Sequence, residues 1–264
     1  MKGAERGKNK CNRPSEETDL RNIQLVLEYD GAAYSGFQRQ LKKATIQGEL
    51  EKALQSLFGY PMKIGSASGR TDAGVHASHQ VVHLRLVSEL TAERIQMGLN
   101  YYLPPDIAVM SAKEVPADFH ARFSAKAKAY EYRIWNGRPR SPLRASRFHH
   151  VPAALSLTVM RRAAKHLVGE HDFSSFCSTG SARRNPVRHV KKLTLRKQGH
   201  EILMRIEANG FLYHMVRNIA GTLIEAGRGK VGDEEVRQIL ASKGKRKALY
   251  NAPAHALSLV SVTY

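Results

Sequence analysis

The chain has 264 residues and carries 42 Lys and Arg against 23 Asp and Glu, giving a formal charge of +19 and a pI near 10.1. That length supplies one large domain or two ordinary ones, either able to bury a core without staples. The excess charge attracts polyanions, nucleic acid first. No apolar run approaches membrane-spanning length, and two distant cysteines, Cys11 and Cys177, argue against a disulfide framework or a Cys-based zinc site.

Residues 1–20 are charged and poor in apolar groups, so a disordered basic tail is expected. They lack the apolar segment of a secretory signal, and Glu5, Glu16, Glu17 and Asp19 argue against an organelle transit peptide. Reduced cytoplasm is the default compartment. Ile23–Tyr29 alternates as a strand, and Asp30-Gly31 reads as a turn. Tyr34–Gln40 mixes aromatics, amides and Arg, a composition that suits either base stacking and phosphate contact or the plugging of a core edge. Ile46, Leu50, Ala53, Leu54 and Leu57 recur at helical spacing, with Thr45 as cap and Gly59 as stop. Pro61–Ile64 and Val81–Leu86 read as strands, Thr91–Asn100 as a helix and Ile107–Glu114 as a strand.

The order β-α-β-β-α-β then recurs. Lys128–Trp135 is a strand, Leu155–Leu167 a helix, and Val190–Leu195 and Ile202–Ala208 are strands joined by a polar turn. Phe211–Ala226 is a strongly apolar helix, Val236–Leu240 a short extra one, and Ala256–Thr263 a closing strand. Two ferredoxin-like halves of this kind predict an α+β protein with antiparallel-rich sheets and a central cleft. The expected domains are residues 21–120 and 121–264.

Between the strands expected at Pro61–Ile64 and Val81–Leu86 lies Gly69-Arg70-Thr71-Asp72-Ala73-Gly74-Val75-His76-Ala77. Its glycines permit tight backbone approaches, and Asp72 falls at a loop, where a scaffold can present a carboxylate to substrate. Asp72 can act as nucleophile, general base, metal ligand or salt-bridge partner, or can simply close a turn on its own backbone. Arg70, two residues away, suggests charge pairing. Tyr130, Tyr132 and Ile134 share one strand face, offering either a stacking platform or ordinary packing. Arg217 lies on the apolar helix and must either meet a carboxylate, for which Asp72 is a candidate, or reach water. The loop Arg183–His189 and the segment Ser242–Lys247 are basic, as phosphate contacts or plain solvated charge. His76, His79 and His83 have no further ligand of the right kind, so no metal is expected.

At this point the sequence resembles the TruA family of tRNA pseudouridine synthases, from about Ile23 to Tyr264. The resemblance rests on Glu28–Gln38, Gly69–Ala77, Tyr130-Glu131-Tyr132, Ser174-Ser175-Phe176, Ala208–Gly221 and Ala252-Pro253-Ala254, in shared order and spacing. Phe37 stands where the family usually has Trp, and Ala256 where Gly is usual. The resemblance implies a homodimer of two-domain subunits that converts uridine to pseudouridine at positions 38, 39 and 40 of the tRNA anticodon stem-loop, with no metal or other cofactor. It implies Asp72 as the catalytic carboxylate, Tyr130 as the Tyr stacking on the target base, Arg217 as the partner of the Asp, and Arg70 as the Arg that helps displace the base.

Overall fold

The computed structural model describes residues 20–178 and 185–264. The expected tail and the basic residues Arg183 and Arg184 therefore lie outside the described residues. The elements are β1 (Arg21–Tyr29), α1 (Ile46–Phe58), β2 (Ser66–Ala67), β3 (His76–Leu86), α2 (Ala92–Tyr102), β4 (Ile107–Val115) and β5 (Ala127–Trp135). They continue with β6 (His149–His150), α3 (Leu157–Lys165), β7 (Gly169–Asp172), β8 (Val187–Gln198), β9 (Glu201–Ala208), α4 (Met215–Gly227), α5 (Asp233–Ala241) and β10 (Leu257–Thr263).

The class is α+β with a mostly antiparallel sheet, as the element pattern predicts. The strands form one sheet in the order β4-β1-β3-β10-β5-β9-β8-β7, with β2 on β3 and β6 on β5. The joint between its two ends is a short parallel pairing of β3 with β10, Ser258 opposite His76 and Leu259 opposite Ala77. On its other side β10 runs antiparallel to β5, with Leu259 opposite Tyr130. Asp72's loop and Tyr130's strand are thus brought together through one intervening strand.

Local chemistry sets the helix ends. Thr45 accepts from the Gly48 amide, and Gly59 closes α1 in the left-handed region at φ 78°. The apolar stripe of α1, Ile46, Leu50 and Leu54, is fully buried against the sheet. Pro61–Ile64 is not a strand: Pro61 has no N–H for a ladder, and pairing with β3 begins only at Ser66, opposite His83. Tyr34 and Phe37 are buried in the core, so the Tyr34–Gln40 loop plugs a core edge, and the Phe37 departure from the family pattern lies in packing.

The helix expected from Phe211 starts later, at Met215, because His214 adopts φ 61°, ψ 5° and breaks the turn. Every residue of α4 except Arg217 is buried. A Cβ at Gly221 would sit 1.9 Å from the Tyr250 carbonyl oxygen, so this glycine lets the 250–252 segment lie directly on the helix. No helix among the described residues is long and apolar enough to cross a membrane.

Candidate active site

The loop carrying Asp72 is held from two directions. From below, Tyr29 of β1 places its hydroxyl 2.8 Å from Thr71 Oγ1, and Gln80 of β3 donates to the Gly69 carbonyl at 2.8 Å. Burial pushes the Tyr29 phenol up to about 12, so it stays protonated and available to this network. From the side, the Phe37 amide donates to the Thr71 carbonyl at 3.0 Å and the Gly74 amide to the Tyr34 carbonyl at 3.3 Å. The approach is close: a Cβ at Gly31 would fall 2.0 Å from the Val75 carbonyl oxygen. The two motifs, some forty residues apart, are one structural unit.

Asp72 Oδ2 lies 3.5 Å from His214 Nε2 and 3.7 Å from Arg217 Nη1. About a quarter of the Asp72 side chain is exposed, against 15–16% for its two partners. These separations give charge stabilisation without saturating the carboxylate with hydrogen bonds, and Oδ1 has no hydrogen-bond partner among the described residues. A carboxylate in that state still has lone pairs to offer. Arg217 is fixed by donating through Nε to the Ala252 carbonyl at 2.7 Å, while the Ala252 amide donates to the Arg217 carbonyl at 3.2 Å. Of the two readings open for Arg217, the ion pair with Asp72 is the one present.

His214 carries no assigned role in the sequence reading, and its neighbours give it one. Its Nδ1 lies 2.9 Å from Ser178 Oγ and 3.3 Å from Asn251 Nδ2. An amide nitrogen can only donate, so Nδ1 accepts and Nε2 carries the proton that faces Asp72. The ring stacks on Tyr213 at 3.8 Å between centroids. Burial lowers the His214 pKa, Asp72 opposes that shift, and Arg217 adds to it. At neutral pH the ring is therefore a neutral donor. The sequence signal that could have found it is a polar residue wedged immediately before an apolar helix.

Tyr130 is buried, with its ring 5.1 Å from that of Phe211 and perpendicular to it. Its hydroxyl makes no hydrogen bond among the described residues. Burial first, then Tyr29 and Asp72, push its pKa far above the ordinary phenol range, so Tyr130 stays neutral beside the carboxylate. Arg70 does not pair with Asp72, contrary to the expectation from their spacing. It is exposed, where hydration satisfies a guanidinium at no cost, and the pairing role falls to Arg217 from a distant helix. A cavity of about 530 Å³ at the β3–β10 joint, lined in part by Asp30, His76, Arg133 and Arg147, does not include Asp72. Arg133 alternates with Tyr130 and Tyr132 along β5, so that cavity opens on the opposite face of the sheet.

A family model described as tRNA pseudouridine synthase matches residues 25–124 and 163–264, spanning both the Asp72 loop and α4. The chain belongs to the TruA family of tRNA pseudouridine synthases, which are isomerases. Proteins named tRNA pseudouridine synthase A are similar to it along almost their whole length. The one from Thermoanaerobacter sp. (strain X514) is 42% identical over 245 residues, covering 93% of this chain and 100% of the relative. The one from Anoxybacillus flavithermus is 43% identical over 245 residues, covering 93% and 99%. That from Halalkalibacterium halodurans is 43% identical over 239 residues, covering 90% of each. A solved Cbf5-Nop10-Gar1 complex is a looser match, 11% identical with a TM-score of 0.32, over 90% of this chain and 57% of that one. The TruA family membership gives the Asp72 loop a chemistry to be judged against.

Proposed function

We propose that this TruA family member isomerises uridine to pseudouridine at positions 38, 39 and 40 of the tRNA anticodon stem-loop, as a cytoplasmic homodimer. The observation that carries the proposal is the Asp72 carboxylate, with His214 Nε2 at 3.5 Å and Arg217 Nη1 at 3.7 Å from Oδ2, unsaturated at Oδ1, and joined through one intervening strand to the strand of the buried Tyr130.

The reaction breaks the bond between uracil N1 and the ribose C1′, turns the base, and joins C5 to C1′. The proton leaves C5 and N1 gains one, so nothing enters or departs overall. A stacked uridine must first be turned out, at a cost of a few kcal/mol. Stacking against Tyr130 returns about 1–3 kcal/mol of that. Arg70, exposed on the same loop as Asp72, then fills the space the base vacates. Asp72 then attacks the sugar or removes a proton from it; both routes use the carboxylate, beside which the Arg217 guanidinium sits. The surface charge grips the RNA backbone by shape and field rather than by sequence.

The test uses unmodified tRNA transcripts, with pseudouridine mapped by carbodiimide-dependent reverse-transcription stops. The wild-type protein should produce stops at positions 38–40, and Asp72→Asn should produce none while still binding tRNA. Stops only elsewhere in the tRNA would overturn the positional assignment. A fully active Asp72→Asn protein would overturn the role of the carboxylate.

A further inference from the structure

Three basic side chains beside the site have no part in the chemistry above. Lys128 lies on β5 two residues before Tyr130, hence on the same face and about 7 Å along the strand. Its amine donates to the Ser68 carbonyl, at the start of the Asp72 loop, and lies 3.5 Å from where a Cβ of Gly69 would be. Arg188 on β8 donates through Nη1 to the carbonyls of Asn185 at 2.7 Å and Val187 at 2.6 Å. Its Nε lies 3.5 Å from where a Cβ of Gly210 would be, next to the Phe211 that abuts Tyr130. Arg122 stands exposed in the loop before β5, with its guanidinium 5.5 Å from the Phe123 ring centre.

Among the described residues, none of the three has a carboxylate within ion-pair distance, although carboxylates elsewhere in the molecule are mostly paired. Lys128 on β5 and Val190 on β8 both lie opposite Ala208 of β9, which brings Arg188, two residues before Val190, to the same end of the sheet as Lys128. Burial first, then Arg122 and Arg188, lower the Lys128 amine to about 8. Gathering unneutralised cations around a largely buried lysine costs stability unless an anion completes the group. The bare backbone at Gly69 and Gly210 lets the Lys128 amine and the Arg188 guanidinium lie close against it. The anion's chemistry follows from its position: a base stacked on Tyr130 remains tethered to a ribose and two phosphodiesters, and a phosphodiester is the part of the nucleotide that reaches several ångströms from the ring.

We propose that Lys128, Arg188 and Arg122 form a phosphodiester subsite that holds the RNA backbone phosphate adjoining the everted uridine. The subsite holds the backbone equally in the bound substrate and the transition state, so its loss is read in KM and in the salt dependence of binding. This rests on the function proposed above.

The experiment measures kcat and KM for pseudouridine formation in an anticodon stem-loop RNA across a salt series. Wild type is compared with Lys128→Met, Lys128→Arg and Arg188→Gln. Lys128→Met and Arg188→Gln should each raise KM about 10-fold, hold kcat within about 2-fold, and reduce the slope of log affinity against log salt by about one. Lys128→Arg, which keeps the charge, should recover most of the loss. A second arm replaces the single phosphates flanking the target uridine with neutral methylphosphonates. One of these RNAs should lose as much affinity for wild type as Lys128→Met loses for normal RNA, with no further loss when the two are combined. Fully additive losses would overturn the subsite. So would a Lys128→Met protein with lowered kcat but unchanged KM and salt slope, which would make Lys128 a prop for the Ser68 carbonyl. If wild type yields no pseudouridine, the functional reading falls; binding of the same RNAs still decides the subsite.

Discussion

At the scale of single residues, the site depends on how Asp72 is surrounded. His214 pays a backbone cost of about 1–3 kcal/mol to sit in the left-handed region. That conformation stops α4 from extending backward and sends the imidazole toward Asp72 Oδ2. His214→Gly relieves the strain, so the protein should stay folded, yet kcat should fall about 10- to 100-fold as the carboxylate loses its fixed orientation. His214→Asn tolerates the same backbone and keeps a donor, and should recover part of kcat with KM unchanged. Equal activity of the Gly variant and wild type would deny His214 any positioning role. Tyr130 makes the opposite kind of prediction. Because its hydroxyl engages no partner, Tyr130→Phe should retain activity within about 10-fold, whereas Tyr130→Ala, which removes the stacking surface, should lose well over 100-fold. Equal losses would shift the role from ring to hydroxyl. Asp72 and Arg217 were legible because a buried guanidinium demands a partner. His214 was not, because its importance comes from a φ angle and from Ser178 and Asn251, neither of which local sequence places near it.

At the scale of elements, the Asp72 loop is a composite. Residues 30–40 and 68–75 exchange backbone hydrogen bonds at separations that only glycine permits. Gly31→Ala puts a methyl group 2.0 Å from the Val75 carbonyl oxygen, and backbone cannot rotate aside as a side chain would. Thermal unfolding should show a loss of about 1–3 kcal/mol, with a drop in kcat beyond what reduced folding explains, because Val75 is three residues from Asp72. A Gly31→Ala protein with unchanged melting temperature and kcat would show that the loop accommodates the shift elsewhere. Most elements were readable from periodicity and caps: α1 between Thr45 and Gly59 follows directly from its sequence. The short strands β2, β6 and β7 were misplaced or missed, since two to four residues carry no usable alternation and exist only because a longer neighbour offers a free edge.

At the scale of the whole molecule, the charge of +19 is the dominant long-range feature. If about four phosphates are neutralised on binding, affinity for tRNA should fall about 100-fold between 50 and 200 mM salt. Filter binding with an unmodified transcript measures this, and a flat titration would remove the backbone grip from the account. The α+β class and the antiparallel bias were legible because alternation and turn signals are local. The continuity of the sheet was not, because it depends on two residue pairs, Ser258 with His76 and Leu259 with Ala77, nearly two hundred positions apart.

That remote pairing governs when a newly made chain becomes competent. While the ribosome is still translating the segment after β9, the Asp72 loop and the Tyr130 strand already exist, but no strand yet joins them. Alignment of Asp72 with Tyr130 must await residues 257–263, and a translation product arrested before them should bind RNA by charge while modifying none of it.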